Sequence, residues 1–139
     1  LVTGVQTCAL PILIVWSVYM SKIIKKSFSN PDVKPDFPKV DARTLDMGDG
    51  VKVSKVVAEK GWKWSECVKP TVGTDSCQAS HIGVLAKGTM TVRMDDGTEM
   101  NYEAGDAYMI GPGHDAWITS EGGSESYEVS FDKADIWHK

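Results

Sequence analysis

The sequence predicts an all-β protein with a single domain. Short runs with strand-like alternation are separated by turn residues, at the spacing typical of sandwiches, jelly rolls and barrels. The chain has thirteen glycines, which suit tight turns, and no segment shows the pattern of a long helix. At 139 residues, the chain has room for one domain around one hydrophobic core.

The predicted strands are short and follow one another closely. They cover residues 43–46, 51–59, 61–68, 77–86, 89–94, 98–103, 107–110, 117–119 and 127–131. The sequence Asp95-Asp96-Gly97-Thr98 joins two of them, and Asp-Gly between alternating strands is a strong signal for a hairpin. The alternation of polar and apolar residues changes parity near Lys55, which predicts a β-bulge there.

The N-terminal residues are expected to lie outside the barrel. Residues 1–12 resemble the in-frame translation of a DNA-sequencing adapter, and the apolar run at 10–19 is shorter than the roughly 20 residues of a membrane span. Phe28 or Phe37 would anchor a proline-rich, extended segment to the barrel surface. The predicted divisions are a non-native extension at 1–19, an extended leader at 20–40 and one barrel domain at 41–139.

Composition excludes several classes of partner. A net charge of −4 and a pI near 5.3 argue against nucleic-acid binding, which usually needs a basic surface. Three cysteines make no disulfide framework, which favours the reducing cytoplasm. We therefore expect a cytoplasmic protein whose partner is neither a nucleic acid nor a membrane.

Two spaced motifs between residues 61 and 131 carry a family resemblance. In the first, Asp75-x-Cys77, three residues, His81, six residues and Gly88 follow one another. The second motif's spaced positions hold Gly105, Gly111, Gly113, Ala116 and Ser120. This spacing resembles that of the cupins, in which the first motif has His-x-His, Glu and Gly, and the second has Gly, Pro, Gly, His and Asn. The resemblance implies a small bacterial, RmlC-like protein with a cupin-type double-stranded β-helix, or jelly-roll barrel, that forms a homodimer.

The resemblance also implies that the first-motif residues face the barrel interior, where cupins hold a divalent metal ion. Those positions carry Asp75, Cys77 and His81 here, and Ala116 stands in place of the second-motif histidine. His114, two residues earlier, could supply a fourth ligand. Carboxylate, thiolate and imidazole all bind zinc, so Zn, Ni or Mn is a possible cofactor. The alternative is a metal-free pocket in which His81 bonds a neighbour and Cys77 is a small buried side chain.

Other side chains in this region are candidates for catalysis or ligand binding. His81 and His114 could exchange protons near neutral pH, because the reference pKa of imidazole is about 6.5. Trp64 and Trp117 could stack on an organic ligand at the pocket mouth, with core packing as the alternative. Lys69 is a candidate polar group at the mouth, with a solvated surface position as the alternative.

A nucleophilic Cys77 would need a base close to its sulfur atom. If residues 77–81 form one strand, His81 lies roughly 13 Å along the chain from Cys77. We therefore expect no direct thiolate–imidazole pair and no hydrolase of the Cys-His type.

Two functions fit these residues. The first is a barrel that binds a small molecule in its pocket without established catalysis. The second is a metal-dependent enzyme of the oxygenase, isomerase or lyase type that acts on a small acid or a sugar-like substrate. The predicted ligand-binding set for either function is Trp64, Lys69, Asp75, Cys77, His81, His114 and Trp117.

Overall fold

The fold is a pair of antiparallel sheets that face each other. In a computed structural model of the protein, residues 23–131 are described. The predicted non-native extension at 1–19 lies outside these residues, as does the start of the predicted leader. The described residues confirm the predicted all-β class, since about half of them lie in strands and the two helices have four residues each.

The elements follow one another in a fixed order. They are β1 (Asp36–Phe37), β2 (Val40–Gly48), β3 (Val51–Ala58), α1 (Trp64–Cys67), α2 (Lys69–Val72), β4 (His81–Lys87), β5 (Thr89–Met94), β6 (Glu99–Glu103), β7 (Ala107–Ile110), β8 (His114–Ile118) and β9 (Ser124–Phe131). One sheet has the strand order β1-β2-β3-β9-β4-β7, and the other has the order β6-β5-β8. Strand β4 lies between β9 and β7, so it pairs with two strands that are distant from it in sequence.

Two predicted turns are present. Strands β2 and β3 are joined through Gly48, Asp49 and Gly50, all with positive φ angles. The Asp-Gly hairpin joins β5 to β6, and Gly97 adopts a φ of 89° there. Glycine suits this backbone conformation because it has no Cβ atom to clash with the following carbonyl group.

The predicted bulge near Lys55 was wrong. Strand β3 pairs with β9 without a register shift, and its pairing with β2 shifts only between Asp46 and Gly48. The apparent change of parity arises because β3 carries apolar residues on both faces. Val56 lies on the face that looks between the sheets, whereas Val53 lies on the opposite face.

The predicted strand at 61–68 was also wrong, because the chain forms the short helices α1 and α2 there. Trp64, Cys67 and Val68 are all buried, at 7%, 7% and 8% exposure. Their spacing of i, i+3 and i+4 is that of one helical face. The sequence itself therefore indicated a short helix at this place. Pro70 lies in the first turn of α2, where a missing N–H costs no hydrogen bond.

Two clusters of buried side chains hold the fold together. The first lies between the sheets around Leu85, which has no exposed surface, with Val92, Tyr108, Ile110 and Ala116. The second contains Trp64, Cys67, Val68 and Cys77, with Phe37 packed against it. The strand-like end of the predicted leader is thus attached to the barrel through Phe37, while Phe28 contacts Tyr127 at 6.0 Å between ring centroids.

Within residues 23–131, no helix has the length and apolar character needed to cross a bilayer.

Replacing Leu85 by alanine should destabilise the protein by about 2–5 kcal/mol, because a fully buried leucine leaves a cavity when it is truncated. Denaturant unfolding of Leu85→Ala and of Val84→Ala measures this effect. Val84 is the matched control, since it neighbours Leu85 on β4 but is 46% exposed. Equal losses of stability in the two variants would contradict the assignment of the core.

Candidate functional site

Three potential metal ligands converge between the sheets. One donor atom each from Cys77, His81 and His114 lies within 4.8 Å of the other two. The Cys77 Sγ atom is 3.6 Å from His81 Nε2, and the two imidazole rings meet edge to face with centroids 5.3 Å apart. Cys77 and His114 are buried, and His81 is half-buried.

The expectation that Cys77 and His81 are too far apart to pair was wrong. Strand β4 begins only at His81, and residues 78–80 are not part of a strand. Cys77 instead pairs with the start of β8, where its N–H donates to the His114 carbonyl at 2.8 Å and its carbonyl accepts from the Gly113 N–H at 2.7 Å. Because residues 78–80 are not part of a strand, the extended spacing does not apply, and the thiol contacts the imidazole four residues later.

His114 enters the cluster because it begins strand β8. Side chains at His114, Ala116 and Ile118 are buried, whereas Asp115 and Trp117 between them are only partly buried. Since alternate residues of a strand share a face, His114 points between the sheets in the same direction as Ala116.

Each histidine has one ring nitrogen bound to an oxygen acceptor. The Nδ1 atom of His114 lies 2.7 Å from the Gly111 carbonyl oxygen, which can only accept a hydrogen bond, so Nδ1 carries the proton. His81 Nδ1 lies 2.9 Å from Glu128 Oε2. In both rings, Nε2 is therefore the nitrogen available to a metal ion.

Glu128 is held in turn by Tyr108. The Tyr108 hydroxyl donates to Glu128 Oε1 at 2.8 Å. Gly83 on β4 pairs with Tyr108 on one side and with Glu128 on the other, so the tyrosine reaches across strand β4. A Cβ atom at Gly83 would lie 2.7 Å from the Tyr108 hydroxyl oxygen. The missing side chain at this position leaves the room that the contact needs.

The electrostatics of the metal-free cluster favour a charged thiolate. Burial alone would raise the pKa of Cys77, but hydrogen bonds with His114 and His81 outweigh it and lower that pKa to about 6. Burial would lower the pKa of His81, but the Cys77 and Glu128 partners raise it to about 10. Burial also opposes ionisation of Glu128, yet His81 keeps the pKa of this carboxyl below its usual value. At neutral pH, the cluster therefore contains a thiolate, an imidazolium and a carboxylate.

The cluster forms part of the lining of a cavity of about 190 Å³ between the two sheets. Trp64 lines the same cavity from helix α1, and Phe37 lines it from strand β1. Most of the remaining lining is aliphatic and comes from both sheets.

Comparison with known proteins establishes which fold holds this site. No family model and no curated protein matches the sequence. An RmlC-like cupin from Shewanella frigidimarina superposes with a TM-score of 0.55 at 13% identity, over 84% of this chain and 96% of that one. The chain has the cupin fold.

Two further solved structures also superpose on this chain over most of its length. A protein of unknown function from Rhizobium leguminosarum has a TM-score of 0.58 at 12% identity, over 79% of this chain and 97% of its own. KdgF from a Halomonas species has a TM-score of 0.50 at 18% identity, over 74% of this chain and 91% of its own. The predicted cupin-type fold is confirmed, and the function has to be argued from this chain's own residues.

Three residues of the predicted site lie away from the cluster in this cupin fold. The Asp75 side chain is fully exposed and forms an ion pair with Lys69 at 3.6 Å. Trp117 lies on the other face of β8 from Ala116, where its ring contacts the cations of Lys63 and Arg93. None of Asp75, Lys69 and Trp117 lines the cavity, whereas Trp64, Cys77, His81 and His114 do.

Glu128 and Tyr108 were absent from the predicted site. Strand parity pointed away from Glu128, because the apolar residues of β9 are Tyr127, Val129 and Phe131, whereas the polar set with Glu128 lines the cavity. A carboxylate on the inward face of a strand usually has a buried partner. No sequence signal links Tyr108 to Glu128 either, since the contact crosses an intervening strand.

The donor set fits a divalent transition metal ion. Cysteine and histidine are zinc ligands, and three protein ligands with one open position are typical of catalytic zinc sites. Metal-bound histidines usually donate their second ring N–H to a carboxylate or a backbone carbonyl, as His81 and His114 are placed to do. A thiolate also favours softer metals over Mn²⁺. The residues present can therefore hold zinc once the proton between Cys77 Sγ and His81 Nε2 is displaced, while the Nδ1 partners of both rings stay in place.

In metal-free protein, the ultraviolet absorbance of the Cys77 thiolate should appear as pH rises, with a midpoint near 6, because the neighbouring imidazoles stabilise the charged sulfur. Cys77→Ser should remove this transition, and Cys67→Ser, which changes the other buried free cysteine, should retain it. A midpoint at the ordinary thiol value of about 8.5 would contradict the charged cluster.

Proposed function

We propose that the protein binds one divalent transition metal ion, with zinc favoured, through Cys77 Sγ, His81 Nε2 and His114 Nε2. The ion presents its open coordination position to a small molecule in the barrel cavity. The observation that carries this proposal is the convergence of the three donor atoms within 4.8 Å. The cavity beside them provides the volume for the bound molecule.

The surrounding hydrogen bonds support a metal site over a metal-free acid–base site. Nδ1 of each histidine is hydrogen-bonded, to Glu128 in one ring and to the Gly111 carbonyl in the other. Only Nε2 of each ring can therefore bind a metal ion or exchange a proton with a molecule in the cavity. Metal coordination uses that nitrogen in both rings at once. His81 and His114 are therefore ligands in this proposal, rather than the acid–base catalysts considered from the sequence.

Glu128 has a positioning role in the same proposal. One of its carboxylate oxygens contacts His81 and the other accepts the Tyr108 hydroxyl, so both are engaged. Burial and the Glu128 charge raise the pKa of Tyr108, which keeps its hydroxyl protonated as a donor. The pair fixes the ring of His81 and increases its basicity toward a metal ion.

Zinc has no accessible redox change, and when bound it acts as a Lewis acid on a substrate oxygen or on water. Chemistry of the isomerase or lyase type therefore fits this donor set better than that of an oxygenase. The apolar walls of the cavity would orient the molecule and limit the access of water.

Metal analysis of purified protein after zinc loading and dialysis tests the site directly. We expect about one zinc ion per chain in the unaltered protein, and loss of most of it in Cys77→Ser and in His114→Ala, because each removes one of three ligands.

Cys67→Ser and Asp75→Asn are the matched controls, since Cys67 is a second buried cysteine and Asp75 was itself a predicted ligand, but both lie outside the cluster. Both should keep their zinc. Full zinc retention in Cys77→Ser, or a zinc-free unaltered protein, would overturn the proposed function.

Replacing Glu128 by glutamine should weaken zinc binding by about 10–100-fold, because the ligand His81 loses its charged partner. Competition with a chromophoric chelator measures the affinity. Glu125→Gln is the control, since Glu125 lies on the same strand but pairs with Lys55 away from the cavity. If the two variants bind zinc equally, Glu128 has no positioning role.

A further inference from the structure

The size of the cavity limits what can bind beside the cluster. Its volume is about 190 Å³. An engineered apolar protein cavity of about 150 Å³ holds one benzene molecule. The cavity here therefore has room for a single six-membered ring or a branched aliphatic chain with one small polar group attached.

The chemistry of the lining limits the ligand further. Val40 and Val56 from one sheet, and Met90 and Ile118 from the other, form apolar walls. Beyond the metal-binding cluster and Glu128, the side chains of the lining that can form hydrogen bonds are two serines from strand β9 and the indoles of Trp62 and Trp64, of which Trp62 Nε1 is buried without a partner among the described residues. A sugar ring carries several hydroxyl groups, and each one that is buried without a partner costs free energy. The walls favour a hydrocarbon body over a sugar.

The charge of the donor set favours an anionic group on the ligand. A divalent ion bound by one thiolate and two neutral imidazoles keeps a net charge of +1, and the Glu128 carboxylate behind His81 has both of its oxygens engaged by His81 and the Tyr108 hydroxyl rather than by the ion. An anionic oxygen donor at the open position would pair directly with the charge of the ion in a site lined mainly by apolar side chains. A carboxylate combines that charge with an oxygen atom that zinc accepts as a ligand.

We propose that the ligand of this site is a small carboxylic acid with an apolar body of one ring or a branched chain, and that its carboxylate coordinates the metal. This inference rests on the proposed metal site. It replaces the sugar-like substrate considered from the sequence with a hydrophobic acid.

A matched pair of probes tests the inference. Cyclohexanecarboxylate and glucuronate each have a six-membered ring and one carboxylate, but only glucuronate carries ring hydroxyls. Isothermal titration of zinc-loaded protein, with the metal content measured on the same sample, should show at least about tenfold tighter binding of cyclohexanecarboxylate. Zinc-loaded protein that binds glucuronate equally well or better, or binds neither acid, would overturn the inference and leave the metal site standing. Protein that takes up no zinc would overturn both.

Variants that fill the cavity locate the binding site. Ala42→Leu on β2 and Ala116→Leu on β8 add volume from opposite sheets, and each should weaken cyclohexanecarboxylate binding by about tenfold or more while zinc content stays unchanged. Ala107→Leu, on an exposed position outside the cavity, should bind the acid as the unaltered protein does. Unchanged binding in both cavity variants would place the acid elsewhere and overturn the inference.

Discussion

Cys77 pairs its backbone with His114 and Gly113 before strand β4 begins, and the geometry of the site depends on these two hydrogen bonds. They attach the loop that carries the thiol to the first residue of β8, which carries one imidazole. Three residues outside any strand then lead to His81, which starts β4 and carries the other imidazole. Three donor atoms from separate parts of the cupin fold thereby meet at one point, on elements that the two sheets hold in place.

The larger sheet supplies the support behind this point. Strand β4 lies between β7 and β9, so Tyr108 and Glu128 flank Gly83 in one cross-strand row. The hydroxyl reaches the carboxylate over the glycine, and the carboxylate reaches His81. A buried carboxylate is costly unless it is paired and hydrogen-bonded, and here both of its oxygens have partners. The same contacts that satisfy Glu128 orient the metal ligand.

Much of the fold could be predicted from the sequence because turns and alternation are local signals. The Asp95–Thr98 hairpin and the glycines of the β2–β3 turn lie where their residue types indicate. The site was harder to predict, because it depends on where a strand begins and on contacts between residues of different strands. Asp75 was assigned to the cluster from the motif spacing, and the Cys77–His81 contact was missed because nothing in residues 78–80 shows that the strand begins only at His81. The homodimer and the cytoplasmic location stay predictions.

The central claim is that one sulfur and two imidazole nitrogens hold a metal ion in this barrel. X-ray absorption spectroscopy at the zinc edge of loaded protein tests it most directly. The expected first shell has one sulfur at about 2.3 Å, two imidazole nitrogens at about 2.0–2.1 Å and one further light atom from water or ligand. A shell made only of oxygen and nitrogen, without sulfur, would contradict the account.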